Sequence, residues 1–232
     1  MDTSLSAALS LGFVLGLRHA LDADHIAAVL ALVSQHRSVV RSCVLGTFWG
    51  AGHTAALLTA AGAVIAFKLT ISPSVERALE GSVACMLILL GGHVLLKALG
   101  GWGLHQHAHS HDDPLHSHLH LPGPAEDTEG HFDFLRLGGR PFVVGVLHGM
   151  AGSAALMLLV LATISSPLAG LLYVLVFGAG ATAGMFLLSG LIGLPFTLTA
   201  GRSEAACRAI QILAGTASLF VGCWLMWELG SL

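Results

Sequence analysis

Arg18-His19-Ala20-Leu21-Asp22-Ala23-Asp24-His25-Ile26 places five charged or titratable side chains (Arg18, His19, Asp22, Asp24, His25) inside an apolar run that extends from Leu5 to Val33. At the centre of a bilayer each Arg or Asp costs about 2.5–3.5 kcal/mol, so the three fixed charges would together cost about 8–10 kcal/mol if unpaired. Such residues pair, face a wet cavity or hold an ion. Read as one continuous helix, His19, Asp22 and His25 share an arc of about 120° on one face. Two imidazoles and a carboxylate within reach of one point suit a borderline divalent cation such as nickel, cobalt or zinc. Asp24 falls on nearly the opposite face and Arg18 on the His25 side. Asp24 therefore reads as a support for a ligand, as half of an ion pair, or as a sign that the helix unwinds here, and Arg18 joins it as a supporting or pathway residue. Mutual neutralisation in a packed bundle explains one such residue better than it explains five.

His53 is a second ionisable group deep in an apolar stretch, next to a face made bare by Gly46, Gly50 and Gly52. The Gly46-x-x-x-Gly50 spacing lets a neighbouring helix press close, and His53 reads as a metal ligand or relay, with a hydrogen-bonded structural histidine as the alternative. His148 lies in a sequence that repeats the surroundings of His19 and is a candidate pathway residue. His105, His107, His109 and His111, then His116, His118 and His120, alternate with polar residues and prolines. That stretch cannot bury enough apolar surface to fold alone, and is expected to be disordered without metal and to act as an accessory metal trap or sensor. Glu80, His93 and the Met150/Met157 pair read more simply as interface and core. The four cysteines, far apart and without a C-x-x-C pair, read as small buried residues.

The elements that must position these groups are membrane helices. Of 232 residues, 55% are hydrophobic and only 10% charged, and the mean hydropathy is +0.81. This is the composition of a polytopic membrane protein. Six stretches are long enough to span about 30 Å of hydrocarbon, near 5–34, 40–67, 76–99, 141–164, 166–193 and 205–229. No basic residue precedes the first apolar run, which argues against a cleaved signal peptide. No Lys/Arg cluster suggests nucleic acid. The links after the first, third and fifth stretches carry Arg37, Arg41, Lys97, Arg136, Arg140, Arg202 and Arg208, against Lys68 and Arg77 on the other side. The positive-inside rule then puts both termini outside and the histidine-rich loop in the cytoplasm.

The chain also repeats itself. Val14-Leu15-Gly16-Leu17-Arg18-His19 resembles Val143-Val144-Gly145-Val146-Leu147-His148 at an offset of 129 (148 − 19). Gly50-Ala51-Gly52-His53-Thr54-Ala55 resembles Gly178-Ala179-Gly180-Ala181-Thr182-Ala183 at an offset of 128 (178 − 50). Three spans per half, an odd number, require the halves to run in opposite directions, an arrangement common in transporters. The expected architecture is all-α: two inverted three-helix repeats, 1–100 and 141–232, joined by a loop over 101–140.

Arg18 to Ile26 resembles the signature of the nickel/cobalt transporter family, R-H-A-[V/F]-D-A-D-H-I, except for Leu21. Trp49-Gly50-Ala51-Gly52-His53-Thr54 approximates a second family motif, F-x-x-G-H-x-T, with Trp in place of Phe and Thr one place early. The resemblance implies His19, Asp22, Asp24, His25 and His53 as metal-pathway residues. It also implies a multi-pass protein of a bacterial inner membrane, with nickel or cobalt as cargo and no resident cofactor. A third family motif, L-G-x-D-T-x-x-E, has no acidic counterpart in the fifth stretch, and the chain is shorter than the larger permeases. Uptake follows from the full signature. Efflux is the alternative drawn from the six-span layout and histidine-rich loop, and a non-transporting chaperone or accessory factor is a third reading. Expected partners are the cation, the lipid bilayer and a cytoplasmic metallochaperone. An intramembrane protease would need a motif such as H-E-x-x-H, which is absent, and no enzymatic activity is expected.

Overall fold

Seven helices stand among the described residues of the computed structural model, which are 3–69, 72–100, 105–109, 116–120, 134–151, 166–199 and 203–231. They are α1 (Thr3–His19), α2 (Ala23–Val33), α3 (Val39–Phe67), α4 (Pro73–Leu99), α5 (Phe134–Gly149), α6 (Pro167–Thr199) and α7 (Glu204–Ser231). Local chemistry marks the boundaries. Ser38 caps α3 by accepting from the Arg41 amide, and Lys68 ends it in a left-handed conformation at φ 52°. Ser72 caps α4 by accepting from the Val75 amide, with Pro73 in the first turn, where its missing N–H costs nothing.

Four of these helices (α3, α4, α6 and α7) are 27–33 residues long with mean hydropathy of 1.4–2.1, sufficient to cross a membrane. The chain is a multi-pass membrane protein. Leu89, Leu96, Leu168, Leu191, Leu213 and Phe220 are each at least two-thirds exposed, as side chains facing lipid would be.

Small residues set the packing. α6 lies against both α1 and α3, α3 also packs on α5, and α4 packs on α7. A side chain at Gly16 would run into the main chain of Phe177, and one at Gly180 into that of Phe13. Gly145 and Gly52 stand likewise against the main chain of Trp49 and Phe142. At the crossing of α3 and α6 the Thr54 hydroxyl donates to the Gly178 carbonyl at 3.0 Å and lies 3.1 Å from the Thr182 hydroxyl. The 11-residue α2 is too short to span; the Gln211 side-chain amide on α7 donates to the Ser34 carbonyl at its C-terminal end, at 3.0 Å.

The structure differs from the sequence expectation at the cysteines, of which Cys207 is buried but Cys85 and Cys223 are exposed, at the fifth stretch, whose helix continues through Pro195 to Thr199, and in the following places. The first stretch, expected as one helix over 5–34, is broken at Ala20-Leu21-Asp22. The fourth begins earlier, at Phe134, and its helix stops at Gly149; residues 152–164 of the expected span lie outside the described residues. Within the histidine-rich loop, two strands, β1 (His105–His109) and β2 (His116–His120), pair antiparallel. Their main chains form a ladder without needing an apolar core, because the X-His alternation already has the two-residue period of a strand.

Candidate metal centre

The break in the first stretch explains how charge is tolerated there. The Leu21 amide donates to the Arg18 carbonyl at 2.9 Å and the Asp22 amide to the His19 carbonyl at 3.0 Å, which closes the end of α1. Asp22 is extended (φ −64°, ψ 150°) and forms the N-cap of α2, with Asp24 in its first turn, while Arg18 and His19 occupy the last turn of α1. Basic groups therefore sit at a helix C-terminus and acidic groups at a helix N-terminus, each favoured by the local dipole. α5 ends in the same way. His148 is in its last turn, and the Ala151 amide donates to the His148 carbonyl at 3.2 Å. The C-termini of α1 and α5 bring partial negative charge to His19 and His148, while the partial positive charge at the N-terminus of α2 is met by Asp22 and Asp24.

Four imidazoles meet there. His19, His25 and His53 each offer a ligand atom within 4.8 Å of the others, and Asp24, His25 and His148 do the same. Ring centroids lie 4.4 Å apart for His19–His25, 4.1 Å for His25–His148 and 5.4 Å for His25–His53. His25, His53 and His148 are at most 2% exposed. His53 stands midway along α3, the fifteenth of its 29 residues (53 − 39 + 1).

The carboxylates orient the rings. A carboxylate oxygen only accepts. His19 Nδ1 therefore donates to Asp22 Oδ2 at 2.7 Å, His25 Nδ1 to Asp24 Oδ1 at 3.1 Å, and His148 Nε2 to Asp24 Oδ2 at 2.9 Å. Each ring then presents its other nitrogen as a lone pair. Those nitrogens (His19 Nε2, His25 Nε2, His148 Nδ1) and both nitrogens of His53 are buried without a hydrogen-bond partner among the described residues. An unpartnered buried polar atom costs about 1–3 kcal/mol, so five in one cluster are expensive unless something satisfies them. A divalent transition-metal ion would satisfy one nitrogen each of His19, His25 and His53, and a carboxylate holding the far nitrogen of a ligating histidine is the usual support for such an ion.

Helical geometry alone puts His19, Asp22 and His25 on one face; with the helix broken, that arc does not exist. His19 and His25 come together with His53 across the break. Asp24 lies among the rings and binds two of them, whereas Asp22 is 54% exposed and among the described residues bonds His19 alone of the four rings. Arg18 is exposed and belongs to neither trio. In the ribbon, His105 is opposed to His120, His107 to His118 and His109 to His116; His111 lies outside the described residues. Sequence reasoning misses Trp49 as a site residue. It is fully buried, its ring lies 5.3 Å from His25 and 5.6 Å from His148, and its indole N–H lacks a partner among the described residues. Phe177, at its repeat position (177 − 49 = 128), lies 5.6 Å from His19. Applying the repeat offset to aromatic positions would have found both.

The Asp24→Asn protein should bind nickel about 10–100-fold more weakly, because an amide cannot accept from both rings at once. Asp22→Asn should cost less, since that carboxylate is half in solvent. Flux into vesicles at subsaturating nickel ranks the two, and an equal loss would contradict the orienting role of Asp24.

Long apolar helices around a buried cluster of imidazoles and carboxylate make this a multi-pass membrane protein with a centre suited to a cation. Residues 5–202 match the NicO family, described as high-affinity nickel-transport protein, and the chain belongs to that family. It is 37% identical over 233 residues to the urease accessory protein UreH of Bacillus sp. (strain TB-90), across 99% of this chain and 94% of that relative. No solved structure gives a significant match. The family is one of transport proteins rather than enzymes, and the resemblance carried by Arg18–Ile26 holds at the family level.

Proposed function

We propose that this protein carries nickel or cobalt ions across a bacterial inner membrane, in the direction of uptake, through the centre formed by His19, His25 and His53. Asp22 and Asp24 hold the rings in place, and His148 closes the centre from the second half. The observation that carries this reading is the convergence of unpartnered imidazole nitrogens midway along a membrane-spanning helix. A divalent cation moving inward gains about 4.6 kcal/mol per 100 mV, twice the value for one charge, so uptake can run on the membrane potential alone.

The architecture proposed for this transport is six spans in two inverted repeats, with both termini outside and the histidine-rich loop in the cytoplasm, where it would collect ions or meet a metallochaperone. The packing supports it. The close approach of Gly16 and Gly180 is matched by that of Gly145 and Gly52, at the sequence offsets 145 − 16 = 129 and 180 − 52 = 128. The turns that end α1 and α5, Asp22 to His19 and Ala151 to His148, differ by the same 129 (151 − 22). Thr54 and Thr182, 128 apart, touch each other, as two residues beside a pseudo-two-fold axis would.

Cells expressing the protein should accumulate nickel or cobalt above vector controls. Reduced accumulation would reverse the direction to efflux. The name of the UreH relative favours a second reading, a membrane accessory factor that binds nickel without moving it. Purified protein in liposomes separates the two, since tight nickel binding with no ion flux would establish the accessory role.

A further inference from the structure

His25 belongs to both trios. Its Nδ1 bonds Asp24, which also holds His148, while its Nε2 has no partner among the described residues. One ring thus belongs to two sets of donors of different chemistry. One set is completed by the imidazoles of His19 and His53. The other is completed by a carboxylate and the imidazole of His148, which comes from the far half of the chain.

We propose that the centre offers a single divalent cation two overlapping positions used in turn, one bounded by His19, His25 and His53 and the other by Asp24, His25 and His148, with His25 as the ligand common to both. The proposal rests on the centre being where the transported ion binds. Two dications sharing one imidazole as a common ligand would repel strongly, so occupancy is one at a time. For the second position His25 and His148 each carry their proton on the other nitrogen, His25 Nε2 and His148 Nδ1, both of which lack a partner among the described residues. Neither ring changes its net charge in that exchange. The first position is all nitrogen and the second adds a hard oxygen donor, so the second should discriminate less between nickel and cobalt. Moving between them transfers the ion from ligands of α1–α3 to one held partly by the end of α5, beside Trp49.

Trp49 provides the readout, because its ring lies 5.3 Å from His25 and 5.6 Å from His148. In the full chain carrying Trp102→Phe, Trp224→Phe and Trp227→Phe, the fluorescence left is that of Trp49, and nickel chloride should quench it saturably. On that background His19→Ala and His148→Ala should each still bind nickel, His19→Ala with a measurably higher half-saturation concentration than the parent. His25→Ala and the double variant His19→Ala/His148→Ala should lose saturable quenching. In proteoliposomes His148→Ala should lose about tenfold or more of the flux while its affinity changes little, the signature of a removed waypoint. If either single variant at His19 or His148 abolishes binding, or if His148→Ala carries ions at the parental rate, the two-position proposal is overturned. Absence of saturable quenching in the parent would instead overturn the ion-binding reading itself. Where an alanine variant loses helix content, its glutamine counterpart, whose amide N–H can still serve the neighbouring carboxylate, is read in its place.

Discussion

Replacing His25 by alanine should cut nickel transport by about 100-fold or more, beyond the 10–100-fold expected for losing a group that only orients a ligand. His25 is 1% exposed, belongs to both donor trios and is in ring contact with His19, His53, His148 and Trp49. No neighbour can replace it without moving a helix. Because a buried histidine also fills space, the loss must be separated from misfolding. The variant should insert into the membrane and purify as the parent does, at a stability cost of about 1–3 kcal/mol for the partial cavity. Radiotracer nickel uptake normalised to inserted protein makes the comparison. Retention of half the parental rate would remove His25 from the pathway.

Gly145→Ala should be strongly destabilising, as tightly obstructed by main chain as any described glycine. A Cβ there falls on the carbonyl of Trp49 and within 2.9 Å of the His53 amide, and both obstacles are main chain that cannot rotate away. α5 would have to move off α3, separating His148 from the rest of the cluster. Overpacking costs about 1–3 kcal/mol, and a main-chain obstacle belongs at the upper end. Gly92→Ala is the matched control, because nothing lies within 4 Å of a Cβ at that position. Thermal melting in detergent should show a lower midpoint for Gly145→Ala and no loss for Gly92→Ala. Equal midpoints would contradict the close packing of α3 against α5.

The contrast between legible and illegible features follows from what sequence periodicity reports. The long helices are legible because burial in lipid demands unbroken apolar stretches, and α3 (Val39–Phe67) falls where the sequence predicts a span over 40–67. The break after His19 cannot be placed by counting residues. At the break Asp22 is extended at the N-cap of α2 and Asp24 lies in its first turn, where the helix dipole favours both charges, whereas periodicity alone makes those acidic residues passengers on a continuous helix. That error exchanges the positions of the two carboxylates: Asp24, expected on the far face, bonds two rings, while Asp22 stands at the edge. His148 and Trp49 lie 124 and 25 residues along the chain from Asp24 (148 − 24 and 49 − 24). No local pattern announces that they meet, and the internal repeat is the one long-range signal that points at His148. The ribbon of β1 and β2 escapes a reading by composition, because composition ignores the two-residue period of its histidines.

Everything proposed for this protein requires the transported ion to sit among these imidazoles. X-ray absorption at the nickel edge tests this most directly, on the full chain with His105, His107, His109, His111, His116, His118, His120 and His131 each changed to asparagine so that the loop's imidazoles are removed. The predicted spectrum shows about three nitrogen or oxygen neighbours from protein near 2.0–2.1 Å, with the outer-shell scattering of imidazole rings, and loses that scattering when His25→Ala is added. A spectrum of hydrated nickel without imidazole scattering, or one unchanged by His25→Ala, would contradict it.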